Sequence, residues 1–325
     1  MESLVAMVET TQNTNQIWWR NFELQGGFHQ NLQIGPTKLQ ISHLEREWRI
    51  AASRVDESAS SNPLGQLILD LPIPVIASGT APVLTPNAPA AGNRTFNLDG
   101  DVKRYAGRRT GAGFRLVPVM ADRPVVCRPL NQIFVLPGDH VELFVSTPVW
   151  INVFLDTIAS AATSAATSAA TSAAASGQGE GTHVAEIPTV RLTDTWIGSS
   201  TVEGELGYSA LTKARLSYQD VVFRSHMVTT GVVIRNLALQ PLRLDRISLP
   251  APYLHIYATS GGALCTEGVL LEHKEGGQFA ELEIMRHPLG PTEACSVVGR
   301  SRRDLIDHTV IRAFSSFLSR RESSL

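Results

Sequence analysis

Asn31-Leu-Gln-Ile-Gly-Pro-Thr-Lys-Leu-Gln-Ile-Ser42 alternates apolar and polar side chains on both sides of a Gly35-Pro36 pair. Successive side chains of a strand point to opposite faces, so this alternation marks two strands with one buried face each. The Gly-Pro pair between them is a turn signal, and together they read as a hairpin. Glu47–Val55 continues the meander. Further strand-like runs lie at Phe114–Met120, Gln132–Leu136, Val141–Val145 and Val149–Leu155, with Pro137-Gly138-Asp139 as a turn. They resume at Val184–Arg191, Val228–Asn236, Leu242–Leu249, Tyr253–Ala258, Leu264–Leu270 and Phe279–Ile284. No helical periodicity separates them, which argues against a βαβ array. The expected fold is all-β, an antiparallel β-sandwich forming one large or two packed subdomains.

One segment departs from this pattern. Ser301 and Asp304 are spaced as a capping box, and Ile306, Val310, Ala313, Phe314 and Phe317 then recur at helical spacing. The spacing predicts an amphipathic helix over 301–319. Such a helix would either close the end of the sandwich or offer Ile306, Val310, Phe314 and Phe317 to a partner groove or membrane surface.

Composition divides the chain further. Residues 1–16 are polar and expected to be disordered, followed by an N-terminal β subdomain over 17–156. Within it, residues 77–100 are rich in Pro, Ala, Gly and Asn, and read as a surface loop. Residues 157–183 carry Ala-Ala-Thr-Ser repeats whose small side chains gain little by burial, a low-complexity insertion. A C-terminal β subdomain spans 184–300.

The net charge of −2 gives no global polycation, so nucleic acid is not an expected partner. Cys127, Cys265 and Cys295 are too few and too widely spaced for a disulfide framework or a metal knuckle. The N-terminus shows neither a basic region nor an apolar core typical of a secretion signal. A cytoplasmic protein, at most peripheral to the inner membrane, is expected.

No phosphate-loop, nucleophile-elbow, metalloprotease or Cys-x-x-Cys pattern occurs, so no catalytic residue, metal site or cofactor is assigned. The candidate ligand-binding residues come from two stretches. In Ala121-Asp-Arg-Pro-Val-Val-Cys-Arg-Pro129, Arg123 and Arg128 each precede a proline, which holds them extended. Such fixed guanidiniums suit a structural carboxylate partner or an anionic ligand. The second stretch holds Arg191, Asp194, Trp196, Glu203 and Glu205. Trp196 can plug the edge of the sandwich or floor a pocket for an anion or sugar. Glu203 and Glu205 would share one face of a strand.

Asp122-Arg-Pro-Val-Val, Arg128-Pro129, Leu136-Pro-Gly and Val145-Ser-Thr-Pro-Val-Trp150 together resemble a known pattern. So do Glu186-Ile-Pro-Thr-Val-Arg191, Asp194-Thr-Trp-Ile-Gly198, Gly204-Glu-Leu-Gly-Tyr208, Ile234-Arg-Asn236, Pro241-Leu-Arg-Leu244 and Leu249-Pro-Ala-Pro-Tyr-Leu254. In order and spacing these are similar to the prokaryotic domain of unknown function 432 family, over most of residues 100–318. Its members have no assigned activity, so the resemblance gives no residue a catalytic role. They sit beside mechanosensitive channel genes, which implies a non-enzymatic accessory protein associated with a membrane channel complex. The alternative expectation is a β-sandwich that binds a small anion or sugar.

Overall fold

A computed structural model describes residues 17–24, 26–54, 102–106, 110–157, 181–198, 202–275, 279–304 and 311–314. After β1 (Asn21–Glu23), the hairpin read from the sequence forms as β2 (Phe28–Ile34) and β3 (Thr37–His43), joined antiparallel around Gly35-Pro36. β4 (Glu47–Arg54) and β5 (Val102–Ala106) extend this sheet. Alternation puts Ile34, Leu39, Ile41, Trp48 and Ile50 on its buried face. The turn needs glycine twice over. Gly35 has φ 58, in the left-handed region, and a Cβ there would lie 2.3 Å from the His226 ring.

β6 (Thr110–Val119) leads to β7 (Val125–Pro129), β8 (Ile133–Val135), β9 (His140–Pro148) and β10 (Trp150–Thr157). β11 (Gly181–Pro188) pairs with β10 and completes a sheet ordered β1-β6-β10-β11. Buried hydroxyls and a phenol fasten the hairpin sheet to it. Thr37 donates to the carbonyl of Thr189 at 2.7 Å, and Tyr105 to that of Val184 at 2.5 Å. Trp48 stacks on His43 at 4.1 Å and meets Phe114 edge-on at 6.1 Å, so the aromatic core spans both sheets.

β12 (Thr193–Ile197), β13 (Glu205–Thr212), β14 (Met227–Asn236), β15 (Leu242–Leu244) and β16 (Ile247–Leu249) follow. The chain then forms β17 (Ile256–Thr259), β18 (Leu264–Cys265), β19 (Glu267–His273), β20 (Phe279–Pro288), β21 (Cys295–Gly299) and β22 (Ile311–Phe314). One sheet runs β12-β13-β7-β16, and β8 pairs with β15 alone. The largest runs β21-β17-β18-β14-β19-β20-β22, with β9 also paired to β14. A single apolar cluster, from Trp18 to Leu282, draws residues from all of these sheets.

The all-β expectation holds, with three refinements. Pairing is mostly antiparallel, but β7 runs parallel to β13, and β14 parallel to β18 and β19. β14 is buried on both faces from Met227 to Val232, the setting in which parallel pairs persist. Second, the run Leu242–Leu249 breaks into β15 and β16, which join different sheets across Asp245 and Arg246.

Third, the amphipathic helix expected over 301–319 is corrected. Ile311–Phe314 is a strand, Phe314 pairing with Phe279 in backbone register. Ser301–Asp304 is not helical, because tertiary partners take its polar groups. The N–H groups of Arg302 and Arg303 both donate to the Pro252 carbonyl, at 2.9 and 3.0 Å. The Arg302 guanidinium donates to the Met120 carbonyl at 2.7 Å and grips the Glu186 carboxylate with two nitrogens. Ile306, Val310 and Phe317 lie outside the described residues, as do the loop 77–100 and most of the insertion 157–183.

Candidate functional site

The two proline-locked arginines meet different fates. Arg123 Nη1 lies 3.3 Å from Asp194 Oδ1, its Nε 3.6 Å from Asp122 Oδ2, and its guanidinium 5.4 Å from the Tyr208 ring centre. Tyr208 donates to the second oxygen of Asp122 at 2.9 Å. Burial, then the Asp122 carboxylate, pushes the Tyr208 phenol up to about 12. Arg123 is therefore a structural ion pair that ties the β7 entry to the β12–β13 hairpin.

Arg128 has no such partner. It is the penultimate residue of β7, half-buried, its Nε is buried without a hydrogen bond, and no ion pair joins it to any described residue. Ile247 pairs with Cys127 across the antiparallel β7–β16 contact, and Arg246, just before β16, comes close enough to Arg128 to feel its charge. Burial, and secondarily the Arg128 charge, hold the Arg246 guanidinium below its usual range, while Asp245 works against them. Like charges directly opposite one another oppose strand pairing.

The other candidate residues separate. Arg191 is exposed between β11 and β12. Trp196 is 44% exposed on edge strand β12 and does not plug the sheet; its indole covers Gly204, whose Cβ would lie 2.9 Å from it. The next residue, Ile197, supplies the buried plug against Val126 and Gly207. Glu203 lies in the turn before β13, so it shares no strand face with Glu205. Partial desolvation raises the Glu205 carboxyl above its ordinary value, with Arg303 pulling the other way. Arg123 and Asp194 are thus brought together; Arg128 stands with Arg246.

At the β8–β15 end the sequence concealed a surface. Phe134 sits opposite Arg243 in the β8–β15 ladder. Asn236 donates its side-chain amide to the carbonyls of Val135 and Gln240, at 3.0 and 2.8 Å, and exchanges backbone bonds with the 137–139 turn. These bonds draw the 136–139 and 237–241 loops together. Phe134, Leu136, Leu237 and Leu239 are left 56, 60, 51 and 77% exposed there. Single exposed apolar residues are ordinary, but Phe134 on β8 and three leucines on the two loops that adjoin it are exposed at one end of the structure, which marks an interaction surface. The available signal was Leu237-Ala-Leu-Gln-Pro241, two large apolar side chains in a turn that buries neither.

Two further clusters were invisible in sequence. Glu267 is 5% exposed and accepts from the His255 N–H at 2.8 Å and the Tyr257 hydroxyl at 3.1 Å; His255 Nδ1 lies 2.7 Å from its carboxylate. Ser301 Oγ stands 3.5 Å from the other imidazole nitrogen. The order hydroxyl–imidazole–carboxylate is that of a nucleophile relay. The three donors are equally what a buried carboxylate requires. Separately, Tyr218, Phe223, Arg224, Thr259, Gly262 and Glu293 help line a cleft of about 230 Å³. Among the described residues no group of His, Cys, Asp and Glu could hold a metal ion. No described helix is long and apolar enough to cross a membrane.

No curated protein and no solved structure matches the chain. The motifs quoted from Asp122 to Leu254 fall within one longer match, in which residues 18–318 fit the family described as "Protein of unknown function (DUF432)". The chain belongs to that family.

Proposed function

We propose that this chain is an interaction protein that docks a partner protein at the β8–β15 end of a β-sandwich scaffold. The observation that supports the reading is the exposed group Phe134, Leu136, Leu237 and Leu239, held on β8 and on loops that Asn236 braces. Bracing matters because a preorganised surface loses less entropy on binding. Arg243 lies opposite Phe134, while Glu272 and Asp245 pair with Arg235 and Arg243, so the rim is mixed in sign. An apolar centre with such a rim is how protein interfaces are built. A membrane channel complex is the partner that the family resemblance suggests, with the chain cytoplasmic and peripheral.

Site-specific photo-crosslinking tests this. A benzophenone side chain replacing Phe134 or Leu239 in the full chain, irradiated in its own cells, should yield a discrete protein adduct. The same probe replacing exposed Lys38 in β3 should not. No adduct at either position, or the same adducts at all three, would refute docking at this end.

A further inference from the structure

The cleft of about 230 Å³ is built by three stretches far apart in sequence: 218–225, the β17–β18 turn at 259–263, and 291–293 between β20 and β21. Part of its lining is aromatic and fixed in place. Tyr218 meets buried Phe144 edge-on at 5.5 Å and Phe223 at 5.2 Å, and Phe223 is 42% exposed. Gly290, with φ 103, packs so close that a Cβ there would come within 2.5 Å of Tyr218 and 2.8 Å of Phe144. The Tyr218 ring is therefore wedged, and Phe223 ends the aromatic series in the open.

The rest of the lining forms hydrogen bonds. Ser260 donates its hydroxyl to one oxygen of the Glu293 carboxylate, whose other oxygen remains an acceptor. Thr259 Oγ1 accepts from the Ala263 N–H at 3.2 Å and keeps its own hydrogen to donate. Burial first, then Cys265, Cys295 and Glu293, hold the Tyr218 phenol above its usual range, so it stays a donor. Arg224 also lines the cleft, so charges of both signs face it and a simple anion or cation gains no net attraction.

These features select a ligand class. Pockets for drug-sized ligands run to roughly 300–1,000 Å³, so this smaller cleft suits a single ring rather than a nucleotide or a peptide. A wholly apolar ring would strip water from Glu293 and Thr259 without replacing its hydrogen bonds. A pyranose meets both demands. Its C–H face presents the partial positive charge that an aromatic π face attracts, and its hydroxyls both donate and accept.

We infer that this cleft binds a neutral monosaccharide, its ring stacked on Phe223 and Tyr218 and its hydroxyls shared with Glu293 and Thr259. The site shares no residue with the β8–β15 docking surface or with the stretch around Trp196 where the sequence suggested a sugar.

Saturation-transfer NMR of the full chain with glucose, galactose, mannose and N-acetylglucosamine, each alone, decides it. At least one sugar should draw saturation from the protein, most strongly at its ring C–H protons. Phe223→Ala removes the open end of the stack and should weaken that sugar's binding about tenfold. Glu293→Gln keeps the size but loses the charged acceptor, and should weaken it about fivefold. Both side chains are exposed, so both variants should melt with the parent. Phe134→Ser and Trp196→Ala should leave sugar binding unchanged, whichever way the docking experiment falls. Saturation of none of the four sugars would overturn the inference, as would undiminished binding in either cleft variant. Loss of binding in Trp196→Ala would overturn it too, by moving the sugar to β12.

Discussion

Glu267 and Arg128 are both charged groups placed at the boundary of the core, and the protein treats them in opposite ways. Glu267 is enclosed by the His255 N–H, the His255 imidazole and the Tyr257 hydroxyl. Arg128 faces Arg246 with a buried nitrogen unbonded. A closed site serves the fold, because its charge is already spent on internal donors. An open one keeps the cost of a buried, unbonded donor. The same division separates the braced but exposed Phe134–Leu239 loops from the aromatic packing of Trp48 and Phe114.

The comparison can be broken most directly at its closed end. Glu267→Ala strands a half-buried imidazole, a backbone N–H and a phenol, and should destabilise the protein by about 3–5 kcal/mol, read by urea unfolding. A loss under about 1 kcal/mol would mean the carboxylate is not structural and would favour the Ser301–His255–Glu267 relay instead.

His226 offers a second closed site. It is 6% exposed beneath Gly35, and burial lowers its imidazole from 6.5 to about 4, with Arg224 contributing. The folded pKa is depressed below the unfolded one, so the neutral form is favoured by folding. Its share of stability is full above pH 6.5 and is lost as pH falls towards 4. About 3 kcal/mol should disappear over that window, and His226→Gln should flatten the acid limb. An identical acid limb in both proteins would place His226 in contact with water.

Gly35→Ala probes the turn above it. The left-handed φ and the overlap with His226 should together lower stability by about 2–3 kcal/mol, seen as a lower urea midpoint at unchanged slope. Trp196→Ala should lower it by less than about 1 kcal/mol, because the ring is 44% exposed and fills no core space. A fall of several kcal/mol would return Trp196 to the role of a plug.

How much of this was legible in the sequence depends on what each signal encodes. Alternation in Asn31–Ser42 reports a buried face directly, and the hairpin followed with its turn at Gly35. The stretch 301–319 failed because spacing alone was read there. Ile311–Phe314 joins β20 through its backbone, which periodicity does not register, and Arg302 is held by Glu186, 116 residues away. β7 and β12 carry no clean alternation to read: Val125, Val126 and Cys127 are all buried in β7, and Ile197 alone is buried in β12. The proline-locked Arg128 is visible in the sequence; its closeness to Arg246 is not, since the long-range β7–β16 contact sets it.

The central claim is that the β8–β15 end exists for binding rather than for folding. It is tested most directly by the double variant Phe134→Ser, Leu239→Ser, assayed for thermal stability and, with a photo-crosslinker replacing Leu136, for adduct formation in cells. The account expects a Tm within about 2 °C of the parent, since exposed side chains contribute little to stability, together with loss of the adduct. A Tm lowered by more than about 5 °C would show that these side chains serve the fold, and an adduct of undiminished yield would show that the partner docks elsewhere.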